Sequence, residues 1–557
     1  MPSEDSPTTP LRGSTAPVED QEQLTTLSLR RAPRVSVFLG TGAAIGLIAG
    51  IVIGMLLPRL VAKIQAALPW ISVTAIALIV CIVVGGAHDN IATAGALVFA
   101  AVVLIAEVLD QGVIAGQIGG WQAPFGITLV ADHLSAAMVL ITAIIGLSVA
   151  VWSLAEIGPT SARFGYHALF QSLLGGVTGA FLTGDLFNLY VWFEVLLISS
   201  FGLLVIGGRK SAIDGAVKYV TLNLIATVLF LAGAGLLYGA TGTLNMADLR
   251  GAVAASPDQG LMTLIAMMLM VAFGMKAAVF PLFFWLPASY HTPHYAVSAV
   301  FAGLLTKVGV YALLRVFTLI FVGDIGYTHQ ILLWVSLLTM LTGVLGAAAQ
   351  SDFRKILSFH IISQIGYMVL GLALMTPLAV MGAVFYLLHH IIVKTNLFLI
   401  AGVSQRLTGS SDLYAIGGLY RTAPLLAALF IIPAFSLAGF PPLSGFWAKF
   451  VIVRASLDLG EWLVAGVALL VGLLTIFSMT KIWAEAFWKA HPEGRQPALV
   501  DLPRSARWQM MVPIIALVVT LAIAWNAYAD RGATIRVEFA DATGVTPGET
   551  KQDPHRR

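Results

Sequence analysis

The 557 residues are 58% hydrophobic and 11% charged, with a net charge of only +3. Soluble domains carry about 25% charged residues, so a chain this long with such a deficit has lipid as its main solvent. The small net charge, without Lys/Arg runs, excludes a nucleic-acid binder. The single cysteine, Cys81, excludes intramolecular disulfides, iron–sulfur clusters and cysteine-ligated zinc.

Residues 1–35 are polar, rich in Pro, Ser, Thr and Glu, and read as a disordered tail. Apolar stretches of helical length follow at 36–57, 67–87, 91–109, 130–154, 167–184, 187–207, 214–239, 261–288, 295–321, 330–350, 355–375, 379–403, 424–453, 462–487 and 510–529. They make about 15 membrane spans of an all-α polytopic protein. Residues 531–557 form a second polar tail. No phosphate-binding Gly-Lys loop, dinucleotide fingerprint or His-Glu zinc motif occurs, so neither a cofactor nor a metal site is expected.

Lys and Arg collect in alternate loops. One side holds Arg163, Arg209, Lys210, Arg354, Lys355, Arg406, Arg421, Lys489, Arg495, Arg504 and Arg507, and the other little beyond Arg250 and Arg454. The basic side is expected in the cytoplasm. Arg30, Arg31 and Arg34 agree with that assignment, whereas Arg59 and Lys63 oppose it.

Two spans carry breaks, at Pro281 in "GMKAAVFPLFFWLP" and at Pro441 and Pro442 in "AFSLAGFPPLSGFWAKF". Proline removes a backbone donor and crowds the preceding turn. Freed backbone groups cannot face lipid, so such breaks belong inside protein or beside a wet cavity. Breaks five spans apart point to two inverted repeats of a transporter type.

Ionisable residues inside the spans are few: Glu194, Lys276, Lys307, His389, His390, Lys394 and Lys449. His390 and Lys394 share a helix face at i,i+4 spacing. Lys218 and Lys481 read instead as side chains that snorkel to the interface. A charge near a bilayer centre costs roughly 2.5–3.5 kcal/mol on insertion scales, which calls for a function. Lys, Glu and His can exchange protons when buried, whereas Arg stays protonated. Arg keeps to the loops here, with Arg315 the main exception. The pattern therefore favours proton handling over static pairing.

The motifs "VADHLSAAMVLITA", "GAFLTGDLFNLYVWFEVLLISS", "YGATGTLNMADL", "GMKAAVFPLFFWLPASYHTPHYAVSAVFAGLLTKVGVYALLR", "SDFRKILSFHIISQIGYMVLGL", "YLLHHIIVKTNLFLIAG" and "AGFPPLSGFWAKF" resemble the antiporter-like membrane subunits. These include the Mrp-type multisubunit cation/proton antiporters and the membrane arm of respiratory complex I. The likeness spans roughly residues 120–530 and is nearest to the D-subunit family of the Mrp type.

The resemblance implies a buried proton relay of Glu194, Lys276, Lys307, His390, Lys394 and Lys449, with a departure at Gln364, where some relatives carry histidine. It implies about 14 family helices plus one extra N-terminal helix, placing residues 36–66 outside the antiporter-like domain of 67–530. The expected function is a proton-translocating subunit of a Na⁺ (or other monovalent cation)/H⁺ antiporter, in a bacterial cytoplasmic membrane with other membrane subunits as partners. The alternative is a proton-pumping subunit of a complex I-like oxidoreductase or membrane-bound hydrogenase.

Overall fold

The computed structural model describes residues 90–494 and 498–531. The predicted spans 36–57 and 67–87, both polar tails, and Arg59 and Lys63 lie outside the described residues. The described chain is nearly all helix: α1 (Asn90–Gln111), a hairpin of β1 (Ile114–Gln117) and β2 (Thr128–Ala131), α2 (His133–Ser153), α3 (Tyr166–Leu182), α4 (Leu186–Val205), α5 (Lys210–Thr241) and α6 (Gln259–Ala277). It continues with α7 (Tyr295–Ile320), α8 (Ile325–Ala349), α9 (Phe353–Ala373), α10 (Pro377–Thr408), α11 (Pro424–Ala438), α12 (Ser444–Asp458), α13 (Trp462–Trp488) and α14 (Arg504–Arg531). Among the described residues, 11 helices are long and apolar enough to cross a membrane.

The span predicted at 130–154 is corrected at its start. Residues Thr128–Ala131 pair with β1, and α2 begins only after Asp132, whose carboxylate accepts from Ser135 N while the Ser135 hydroxyl accepts from Asp132 N. That reciprocal cap stops the helix from running back into the apolar strand residues. The predicted spans 214–239 and 379–403 are too short, because α5 and α10 continue through polar ends that an apolar stretch does not register. Both are closed by a left-handed glycine, Gly242 (φ 73°) and Gly409 (φ 79°).

α7, α9 and α10 are buried along most of their length, while α1, α5 and α13 present apolar faces outward. A helix that is apolar all round fits only a protein core or lipid, and these two groups occupy the two settings.

The chain from α4 onward repeats. Asp185 and Asp352 cap α4 and α9, accepting from Asn188 N (2.7 Å) and Lys355 N (2.9 Å). Each following helix, α5 or α10, has 32 residues. Each ends in a threonine, Thr241 or Thr408, whose hydroxyl donates both to the carbonyl four residues back and to the one two residues on. The chain then returns to its starting aspartate through a single β-bridge, Asp185 with Asn245 and Asp352 with Asp412. Further on, α7 and α13 both finish in a π turn, Val316–Ile320 and Trp483–Trp488. All these pairs stand at one constant spacing in the sequence. Five membrane-length helices, α4 to α8, separate the two starts. An odd number of crossings puts the starts on opposite faces, which makes the repeat inverted.

Both helix breaks lie inside this framework. α6 stops at Ala277, with Ala278 left-handed (φ 64°), and helix resumes at Trp285. α11 stops at Ala438, with Gly439 left-handed (φ 90°), and α12 resumes at Ser444. The groups set free find protein partners. Phe280 N donates to Thr339 Oγ1 (2.9 Å), and Met275 O accepts from Trp285 Nε1 (3.0 Å). Leu437 O and Ala438 O accept from the Lys449 ammonium (2.8 and 3.3 Å). Interrupted backbone at membrane depth survives on such terms.

Candidate functional site

Glu194 projects from α4 toward α5 and α6. Its Oε1 accepts from the Thr227 hydroxyl of α5 (2.8 Å), and the same oxygen of Thr227 accepts from Lys276 Nζ of α6 (3.0 Å). Glu194 and Lys276 are thus joined through a hydroxyl, and no direct ion pair links them among the described contacts. Lys276 is buried, and its ammonium lies 5.3 Å from the Phe193 ring centroid. Phe193, Phe230 and Phe273 pack edge and face around that spot. The Phe193 ring supplies attraction to a cation that water would supply elsewhere.

Lys307 on α7 is fully buried, and its ammonium donates to Ala302 O, within a π turn at Phe301–Leu305. π turns inside α-helices recur at functional positions. Two residues on, Gly309 lies against the end of α6: a Cβ there would sit 2.5 Å from Ala277 N and 2.8 Å from Lys276 C. Only glycine lets α7 come so close to the lysine-bearing turn.

α10 contributes His389, His390 and Lys394, all buried. Lys394 Nζ donates to Leu357 O (3.1 Å). His390 has no hydrogen-bond partner among the described residues, but it is within electrostatic reach of Lys307, Lys394 and Lys449. His389 turns the other way, toward the second break: its Nδ1 meets Ser444 Oγ (3.0 Å), and its ring stacks on Tyr386. The two adjacent histidines share the Tyr386 ring, but the hydrogen bond to the second break belongs to His389.

Lys449 on α12 caps the carbonyls of the second break and lies 4.5 Å from the Tyr367 ring centroid and 5.6 Å from that of Tyr386. Around it runs a buried polar network that the linear sequence does not disclose. Tyr386 Oη donates to Gln364 Oε1, Gln364 Nε2 donates to Ser363 Oγ (3.2 Å), and His360 Nε2 meets Ser478 Oγ (2.7 Å). Gln364, the departure from relatives that carry histidine, is fully engaged as an amide. Thr227 escapes a reading of the sequence for a clear reason, since one threonine in an apolar helix normally bonds its own backbone.

The arginines behave differently. Arg315 donates to Asp132 Oδ1 (2.5 Å) and to Tyr311 Oη (2.9 Å), a static clasp across the start of α2. Burial works to raise the Asp132 pKa, but the Arg315 guanidinium and the Ser135 hydrogen bonds outweigh it and hold the carboxyl below its ordinary range. Arg209, Arg354 and Arg406, three of the eleven basic residues predicted to share a face, donate to Thr292 O, Pro293 O and Ala155 O. They stand beside a polar cavity of about 340 Å³ lined by Glu156, Arg209, His294 and Arg354. Glu156 accepts from Tyr295 N (2.7 Å) and Ala296 N (2.9 Å), closing the first turn of α7. Lys218 is exposed and paired with Asp214, and Lys481 reaches Gln350 O at the end of α8. No group of His, Cys, Asp and Glu suited to a metal ion occurs among the described residues.

An inverted pair of broken-helix repeats with buried lysines defines a class of polytopic membrane protein. The profile of the NADH:quinone oxidoreductase/Mrp antiporter transmembrane family matches residues 183–476, and the chain belongs to that family. Within it, the chain is 47% identical over 422 residues to the D subunit of the Na⁺/H⁺ antiporter of Alkalihalophilus pseudofirmus, covering 76% of this chain and 85% of that one. It is 46% identical over 395 residues to the protein of the same name in Bacillus subtilis (71% and 80% covered). Its fold is similar to a chain in the structure of the Mrp complex from a Dietzia species, with a TM-score of 0.72 and 33% identity over 90% of this chain and 95% of that one. A chain of respiratory complex I from Thermus thermophilus shares the fold at a TM-score of 0.73 and 23% identity, over 86% and 99% of the two chains.

Proposed function

We propose that this chain is the D-type component of a multisubunit antiporter in a bacterial cytoplasmic membrane. It moves protons in exchange for Na⁺ or another monovalent cation, works beside other membrane subunits, and is a transporter component with no chemical reaction of its own. The observation that carries this reading is the set of buried amines and imidazoles on α6, α7, α10 and α12, joined through Thr227 to the half-buried Glu194 of α4. The identity to antiporter D subunits supports antiport over the redox alternative, since the fold is common to both.

Glu194 governs the protonation of Lys276. Lys307, His390 and Lys394 pass the proton along the membrane midplane, and Lys449 delivers it to an exit or a neighbouring subunit. The coupling is electrostatic: two like charges about 8 Å apart repel by about 2 kcal/mol at an effective dielectric of about 20. Loading one amine therefore drives a proton off the next. The polar cavity at the head of α7 gives the cytoplasmic face a hydrated mouth.

The test is antiport in membrane vesicles carrying the whole complex. Glu194→Ala and Lys276→Ala are each expected to abolish exchange while the complex still assembles. Full exchange in both variants overturns the relay.

A further inference from the structure

Thr227 is placed unlike many threonines of the bundle. Thr142, Thr178, Thr221 and Thr241 each donate to the carbonyl four residues back in their own helix. Thr227 turns its hydroxyl away and bridges two other helices, donating to Glu194 and accepting from Lys276. The direction of both bonds is fixed by chemistry: an ammonium only donates and a carboxylate only accepts. Thr227 is 6% exposed and Lys276 7%, so the bridge is sheltered from solvent on the lysine side.

The inverted repeat adds a second observation. Counted from the start of the two 32-residue helices, Thr227 of α5 and Lys394 of α10 hold the same position, as do Tyr219 and Tyr386. One copy of the fold puts a titrating amine at this point. The other puts a hydroxyl there, between an acid and an amine that have arrived from neighbouring helices.

We propose that Thr227 is a proton-transmitting residue of the site, carrying the proton between Lys276 and Glu194 through its hydroxyl. The proposal rests on the relay described above. In the step, an Nζ–H bond of Lys276 breaks and a new Oγ–H bond forms, while the original Oγ–H bond breaks and an Oε1–H bond forms on Glu194. One proton moves, Thr227 ends as a neutral hydroxyl, and the charged pair becomes an amine and a carboxylic acid. Both hydrogen bonds then point the other way, and rotation of the hydroxyl resets the bridge. The ionisable groups facing Thr227 are Glu194 from α4 and Lys276 from α6.

The experiment compares Thr227→Val, which keeps the shape and removes the hydroxyl, with Thr227→Ser, which keeps the hydroxyl. Antiport is measured per assembled complex across a range of pH, with Thr227→Ala as a smaller hydroxyl-free variant should valine impair assembly. Thr227→Ser is expected to stay within about threefold of the parent rate, and the hydroxyl-free variants to lose at least about tenfold. Their pH of half-maximal exchange is expected to move by about half a unit or more, because Glu194 and Lys276 no longer share a partner, while that of Thr227→Ser stays put. Equal losses in serine and valine reduce Thr227 to a packing residue and overturn the proposal. So does parental exchange and an unchanged pH profile in the hydroxyl-free variants. If Glu194→Ala and Lys276→Ala still abolish exchange in that case, the bridge alone has failed; if they too are active, the relay has failed with it.

Discussion

Lys449 does two things at once: its ammonium satisfies Leu437 O and Ala438 O at the second break, and it sits against the rings of Tyr367 and Tyr386. A buried carbonyl left without a donor costs about 1–3 kcal/mol, so removing the amine harms the fold as well as any proton transfer. Arginine separates the two roles, because it donates hydrogen bonds but does not give up its proton. Lys449→Arg is therefore expected to assemble while its exchange rate falls by about tenfold or more, and Lys449→Met to lose both exchange and thermal stability. Vesicle antiport alongside the melting temperature of the purified complex checks this. Parental exchange in Lys449→Arg means that this position need not titrate. At this scale the sequence displayed the charged groups well, since any ionisable letter stands out in an apolar run. It concealed Thr227, Tyr386 and His360, whose side chains are ordinary in a helix and acquire meaning only from what faces them.

The approach of α7 to α6 depends on one missing side chain. A Cβ on Gly309 would collide with the backbone of Lys276 and Ala277, whereas Gly235, in the last third of α5, has nothing within 4 Å of where its Cβ would lie. Forcing extra atoms into a packed contact costs about 1–3 kcal/mol. Gly309→Ala is thus expected to lower both thermal stability and antiport by displacing Lys307 from the first break, with Gly235→Ala indistinguishable from the parent. If Gly309→Ala keeps full exchange, the distance between the two helices is not part of the function. Helix ends were the poorly legible part of the elements. Hydropathy follows the apolar middle of α5 and α10, but their lengths are decided by caps at polar residues beyond it. Residues Thr128–Ala131 went into a strand, with Asp132 and Ser135 closing the helix behind them.

For the whole molecule, the inverted repeat predicts that the two β-bridged turns at Asn245 and Asp412 face opposite sides of the membrane, and the positive-inside rule applied to Arg209, Arg354 and Arg406 predicts the second in the cytoplasm. In a Cys81→Ser background, a cysteine at the exposed position Ala247 is expected to react with a membrane-impermeant maleimide on intact cells. One at exposed Ala415 is expected to react only after permeabilisation. Labelling of both from the same side would break the inverted arrangement.

Composition alone established that this chain lives in lipid, because no aqueous protein of its length can be so poor in charge. Sequence likewise revealed the two breaks, since proline and glycine dictate backbone shape locally, and the isolated buried charges, since each is costly wherever its helix lies. What those charges touch was settled only by the packing of helices far apart in the chain. Thr227 lies 33 residues from Glu194 and 49 from Lys276, and Lys394 meets Leu357 across two different helices. Hydropathy assigns residues to spans but carries no information about rotation around a helix axis. That rotation decides whether a hydroxyl closes on its own backbone or joins an acid to an amine.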